Sequence, residues 1–207
     1  MDNKEDFIKR NLEVDFLKER YPDKENRKEF LKNAWDDFQE NEYGLINDSG
    51  KTEKVSVDIR RSKKSNVESG DRVVIGYATT QEITDDNMLL TREALRKAQD
   101  GLLENSTMLF NHDMDKAVGR IVETYVDEIG LLIKAVISKE EDELWGKIQD
   151  GTINKFSIQG RALDMEPIEG ENGEEVYKVN EIELFEAGPV TIAGNTGAQT
   201  LKSYVAK

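Results

Sequence analysis

The spacing of apolar residues changes along this chain, and the change divides it. Phe7, Ile8, Leu12, Phe16 and Leu17 recur at three- and four-residue steps, which places them on one helix face. Pro22 ends that helix, because the residue before a proline is pushed out of the helical region. Asp23 is the N-cap of a second helix, with Phe30, Leu31, Ala34, Trp35 and Phe38 as its stripe. Residues 1–43 thus read as a helical hairpin, either packing its own stripes together or docking a partner. Residues 44–53 lose the period and cluster Gly, Asn, Asp and Ser, as a linker does. Beyond them the period becomes two.

Val55, Val57 and Ile59 alternate with polar residues, which predicts a strand over 54–61 with one wet face. A second strand covers 72–79, and Thr91 caps a helix over 92–103 whose buried face is Ala94, Leu95, Ala98 and Leu102. The short apolar run Met108-Leu109-Phe110 leads straight into Asn111-His112-Asp113. Strands over 117–127 and 130–138 meet in a hairpin at Asp127–Gly130. Ser138-Lys139-Glu140-Glu141 reads as a capping box for a helix that stops near Gly151. A strand over 153–164 follows, then an acidic hairpin loop or mobile flap over 165–175. A last strand over 176–186 ends at Gly188-Pro189, and 199–207 reads as a flexible tail. Many strands joined mostly by hairpins, with few helices between them, predict an α+β fold over 54–198. Its core is a largely antiparallel β-barrel or sheet surrounded by helices, with the N-terminal helical hairpin added.

Composition narrows the chemistry. No run of eighteen apolar residues is present to span a membrane. The start, Met1-Asp2-Asn3-Lys4-Glu5-Asp6, lacks the basic-then-apolar pattern of a signal peptide. With no cysteine, disulfides, thiolate metal sites and a cysteine nucleophile are excluded. Asp and Glu number 43 against 29 Lys and Arg, a net charge of −14, the opposite of what a nucleic-acid binder carries. A single histidine is present, so any imidazole chemistry happens at His112.

His112 is a surface residue, a metal ligand or a general base. Asp113 and Asp115 offer carboxylates to a metal, as a metal-dependent hydrolase would use. A tight zinc site, however, wants further His or Cys, and the glycine and distal glutamate of a calcium loop are missing. No metal and no cofactor is therefore expected. A base needs a rigidly held nucleophile and an orienting acid. Ser157 stands inside Lys155-Phe156-Ser157-Ile158-Gln159-Gly160, where Phe156 and Ile158 face the core and the hydroxyl points away. The same alternation also describes an ordinary solvent-facing strand serine. Ser49, Ser62, Ser65 and Ser69 lie in loops, Ser138 is taken as a cap, and Ser56 lacks a nearby glycine. For the acid, alternation from Ile182 through Leu184 puts Glu186 on the apolar face, where a carboxylate must be paired. Asp113, adjacent to His112, diverges from it and is the weaker orienting group.

In these segments the chain resembles the tailed-phage prohead, or procapsid maturation, serine proteases, a family related to the herpesvirus assembly proteases. The resemblance is carried by Leu109-Phe110-Asn111-His112-Asp113, Val118-Gly119-Arg120, Asp127-Glu128-Ile129-Gly130-Leu131, Gly151-Thr152-Ile153 leading to Phe156-Ser157-Ile158-Gln159-Gly160, and Leu184-Phe185-Glu186 before Ala193-Gly194-Asn195-Thr196-Gly197-Ala198, in that order. Gln159 stands where many members have glycine, and the last turn lacks the family's two prolines. The resemblance implies Ser157 as nucleophile, His112 as general base and Glu186 as the acid orienting it, on a β-barrel core surrounded by helices. It implies cleavage of scaffold protein or major capsid precursor, and often of the protease itself, inside the assembling prohead in the host cytoplasm, with self-association possible. The rival expectation is a non-catalytic acidic scaffold or minor capsid component that keeps the protease fold.

Overall fold

The structure is a computed structural model of the chain that describes residues 23–29, 31–32, 43–46, 52–55, 60–62, 66–170 and 172–206. It divides into two compact units, Met1–Ile59 and Arg60–Lys207. In the first, residues 24–29 and 31–32 are helical. Asp23 Oδ1 accepts from the N–H groups of Glu25 (2.9 Å) and Asn26 (3.0 Å), the N-cap its position predicts. The rest of the helical hairpin expected over 1–43 lies outside the described residues. Strands β1 (Tyr43–Ile46) and β2 (Thr52–Val55) pair antiparallel, so the segment read as a linker contributes a hairpin instead.

The second unit runs β3 (Arg60–Arg61), β4 (Arg72–Thr80), β5 (Met88–Leu90), α1 (Arg92–Asn105), β6 (Thr107–Leu109), a single 3₁₀ turn (Phe110–His112), β7 (Ala117–Val126), β8 (Gly130–Ile137), α2 (Asp142–Gln149), β9 (Lys155–Glu169), β10 (Glu175–Val190) and β11 (Thr200–Val205). One sheet has the order β11-β4-β8-β7-β3, with β6 also on β7; the other has the order β5-β10-β9. All pairings are antiparallel except β5 with β10. The fold is thus mostly antiparallel sheet with few helices. The two sheets do not close into a single barrel, because β5, β9, β11 and β3 each end a sheet, whereas closure requires two partners for every strand.

The core lies between the sheets and the helices. Helix α1 buries Ala94, Leu95, Ala98 and Leu102, α2 adds Leu144, Trp145 and Ile148, and the strands contribute Val74, Ile121, Ile133, Ile182 and Leu184. Thr91 caps α1, its Oγ1 accepting from Ala94 N (3.1 Å) and donating to Val179 O (3.0 Å), which fastens the helix start to β10. Helix α2 begins later than the Ser138 pattern predicts. Ser138 Oγ instead accepts from Glu140 N (3.3 Å) in a local turn, and Glu141 stands at the N-cap without a side-chain bond.

Three further expectations change. The loop or flap over 165–175 is mostly strand, since β9 and β10 pair out to Glu169–Glu175. This arm is exposed on both faces at Met165, Glu166 and Pro167, so burial imposes no period-two pattern on it. Gly188-Pro189 lie within β10 rather than ending it, and Pro189 pairs with Phe156. Within the span expected as a tail, Thr200–Val205 form β11 against β4, with Leu201 and Lys202 buried.

The β7–β8 hairpin explains the Asp-x-x-Gly spacing. Asp127 Oδ1 accepts from the N–H groups of Ile129 and Gly130, both at 2.8 Å, and Oδ2 accepts from the Tyr77 hydroxyl at 2.5 Å. Only glycine fits at Gly130, because a Cβ there would lie 2.1 Å from Thr79 O. Burial pushes the Asp127 carboxyl up from 3.8 to about 6, against the pull of these hydrogen bonds. The folded state therefore holds this proton more tightly than the unfolded chain does. The contribution is fully present below the unfolded value near 3.8 and is lost as pH rises through 6. Two pH units correspond to about 3 kcal/mol. Urea unfolding should show stability falling across this window, and Asp127→Asn, which keeps an acceptor for both N–H groups, should flatten it.

Candidate active site

The strand pair β9–β10 carries two of the residues singled out by sequence, and a register shift sets their faces. Leu184 pairs with Gly160, but Glu186 pairs with Gln159, so one extra residue of β10 sits between them. Such a bulge reverses the alternation of the strand that contains it. Leu184 faces the core together with Phe156, Ile158 and Ala187. Glu186, across from Gln159, and Gly188, across from Ser157, take the opposite face. Glu186 is therefore not on the face of Ile182 and Leu184, as uninterrupted alternation predicts. It shares the face of Ser157.

Glu186 is nonetheless only 4% exposed, because β6 and the turn after it cover this face. The main chain of Leu109 runs over Gly188 so closely that a Cβ on the glycine would lie 2.0 Å from Leu109 O. Leu109 N donates to Glu186 Oε2 (3.3 Å), and His112 Nδ1 bonds to Glu186 Oε1. Both carboxylate oxygens are thus engaged, as burial requires. With Nδ1 donating to the carboxylate, Nε2 is the nitrogen left to accept a proton. The imidazole is partly exposed.

The turn that presents His112 is unusual in its backbone. Asn111 and His112 both have positive φ, 54° and 58°. Two successive left-handed residues are costly for side chains other than glycine, and asparagine tolerates the region best. Asn111 Oδ1 also accepts from Thr191 N (2.9 Å) and Thr191 Oγ1 (3.3 Å), fastening the turn to the residue after β10. Asp113 closes the far side: its Oδ1 accepts from Asp115 N (3.0 Å) and its Oδ2 pairs with Lys116 (3.2 Å). Asn111→Ala should cost about 1–2 kcal/mol of stability. The ring ¹⁵N spectrum of the single histidine should lose its dominant Nδ1–H tautomer in that variant. Asn111→Gly restores the backbone but not the link to Thr191, so it should recover stability without the tautomer.

The structure brings His112 and Glu186 into contact and places Ser157 on the same face, opposite Gly188. Ser157 Oγ has no hydrogen-bond partner among the described residues, so the hydroxyl is not joined to the imidazole here. Asp113 turns to Lys116 rather than to the ring. Among the described residues no three His, Asp or Glu side chains cluster as a metal site needs, and no helix is long and apolar enough to cross a membrane.

Ser157 also lines a cavity of about 490 Å³ bounded by β4, β5, β9 and the loop after β10. Asn195, 7% exposed, ties that loop down: its Oδ1 accepts from Thr80 Oγ1 (2.8 Å) and Thr80 N (3.3 Å), and its Nδ2 donates to Thr80 O (3.2 Å). Sequence reasoning assigned no role to Asn111, Gly188 or Asn195. Asn111 and Asn195 stand in the quoted motifs, but their partners, Thr191 and Thr80, are distant in sequence.

The model of the caudovirus prohead serine proteases matches residues 57–206. The chain belongs to this family. The prohead protease of Escherichia phage T5 is 28% identical over 94 residues, an alignment that covers 45% of this chain and 43% of that one, so it spans less than half the T5 protein. Two solved structures are also similar. The bacteriophage T4 capsid assembly protease is 16% identical, with a TM-score of 0.45 over 71% of this chain and 87% of that one. The KSHV protease, solved with a hexapeptide phosphonate inhibitor, is 9% identical, with a TM-score of 0.40 over 63% and 64%.

Proposed function

We propose that this prohead protease family member hydrolyses peptide bonds of a scaffold or major capsid precursor, and of itself, within the assembling prohead in the host cell. In this reading Ser157 is the nucleophile, His112 the general base and Glu186 the acid that orients the imidazole. The observation that carries it is the buried Glu186 carboxylate holding His112 Nδ1 on the face of the β9–β10 ladder where Ser157 stands.

Chemically, Ser157 Oγ attacks the peptide carbonyl carbon while His112 Nε2 takes its proton. The imidazolium then gives that proton to the departing amine as the C–N bond breaks. Water, deprotonated by the same nitrogen, hydrolyses the resulting ester. Glu186 holds the tautomer and offsets the imidazolium charge. Strand β9 supports an extended substrate. Phe156 N donates to Ala198 O on the side away from β10, so alternation turns the main-chain groups of Ile158 and Gly160 to the same side, where β9 ends its sheet. Such an edge accepts a peptide as one more strand.

One observation favours the second reading, a non-catalytic assembly protein that keeps the fold: the Ser157 hydroxyl is not bonded to His112. Catalytic hydrogen bonds are often longer before substrate binds, which leaves the peptidase reading ahead. Treatment with a peptidyl phosphonate followed by mass spectrometry separates the two. A covalent adduct on Ser157 supports the peptidase, and no adduct, with folding intact, supports the assembly protein.

A further inference from the structure

We propose that the cavity beside Ser157 receives a lysine or arginine side chain, belonging to the substrate residue that carries the attacked carbonyl. This rests on the peptidase reading of Ser157. The carbon that Oγ attacks is two bonds from that residue's Cβ, so of all substrate side chains this one lies nearest a cavity that Ser157 lines. At about 490 Å³ it lies within the ordinary size range of ligand sites and has room for a long side chain.

The lining sets the kind of side chain. The inner wall is apolar, made of Ala78, Met88, Leu90, Ile158, Ala162 and Ile182. The mouth carries two exposed carboxylates, Asp85 and Asp86, and no lysine or arginine lines the cavity. Among the described residues neither carboxylate is paired with a cation, in contrast to Asp71, Glu123 and Glu183, which are. The mouth is also held in place. Asp85 N donates to Gly194 O (2.8 Å), Thr84 N to Met88 O (2.9 Å) and Asn87 N to Thr84 O (2.9 Å), while Thr84 Oγ1 donates to Asp86 Oδ1 (2.5 Å). An apolar wall beside fixed, exposed negative charge matches a methylene stem whose cationic end stays at the solvent edge. An acidic side chain would meet like charge at the same mouth, and a neutral one would leave the carboxylates unused.

The test uses the full chain and two peptidyl diphenyl phosphonates that differ only in the residue next to phosphorus, lysine or its uncharged analogue norleucine. The lysine reagent should label Ser157 roughly tenfold faster at low salt, with the advantage shrinking as salt rises. Asp85→Asn with Asp86→Asn should bring the lysine-to-norleucine ratio close to one, with the unfolding midpoint unchanged. Equal labelling rates in the unaltered protein, or a ratio untouched by the double substitution, overturns the pocket assignment alone. Failure of both reagents to label a folded protein overturns the peptidase reading and this inference together.

Discussion

Ser157→Ala should lower cleavage of a co-expressed scaffold or capsid precursor on the order of 10⁶-fold, the loss seen when a serine protease loses its nucleophile. Folding should persist. The half-buried hydroxyl has no hydrogen bond to lose among the described residues, and such a truncation ordinarily moves stability by less than about 0.5 kcal/mol. Because nucleophile and base act as a unit, His112→Ala should match it, and the double variant should be no worse than either. No other histidine exists to substitute. Glu186→Gln keeps the volume but cannot hold the same tautomer, and a loss near 10⁴-fold is expected. Termini of the products, read by mass spectrometry, measure all four. Unreduced cleavage by Ser157→Ala would remove that residue from the chemistry, whereas equal loss in the single and double variants is the mark of one coupled device.

The legible parts of this site were those decided by counting or by strong local pattern. One histidine in the whole chain fixes the imidazole, and an apolar run on both sides of Ser157 and of Glu186 marks strands. Alternation failed at one point, between Leu184 and Glu186. The register shift there depends on which residue of β9 faces which residue of β10, a relation between segments that neither strand's own sequence expresses. Both errors at the end of the chain share a cause. The arm over Met165–Glu169 is mostly exposed, so burial writes no period into it, and β11 looks like a tail in sequence because few residues remain to establish one. Asn111 and Asn195 show the same limit in polar form: an asparagine in a turn looks alike whether it bonds its own loop or a residue eighty positions away, as Asn111 does to Thr191.

Gly188→Ala tests whether the close approach of β6 to β10 is what assembles the site. A Cβ at Gly188 would fall 2.0 Å from Leu109 O and 3.0 Å from both Leu109 C and Leu109 N. All three are main-chain atoms, so no side-chain rotation relieves the overlap and β6 itself must lift. Leu109 N supplies the bond to Glu186 Oε2, and His112, three residues on, supplies the bond to Oε1, so lifting this segment loosens both ties to the carboxylate. Overpacking of this kind costs about 1–3 kcal/mol. A displacement near 1 Å at the reacting groups costs about 100-fold in rate, over and above any loss of folded protein. Gly101→Ala is the matching control. It lies in α1 with nothing within 4 Å of the added Cβ, so it should raise stability by about 0.4–1 kcal/mol and leave hydrolysis unchanged. Opposite signs in the two unfolding midpoints, with activity per folded molecule lost only at Gly188, would tie the geometry of the imidazole to that single contact. Wild-type stability and hydrolysis in Gly188→Ala would show that β6 does not press on β10 and that something else orients His112.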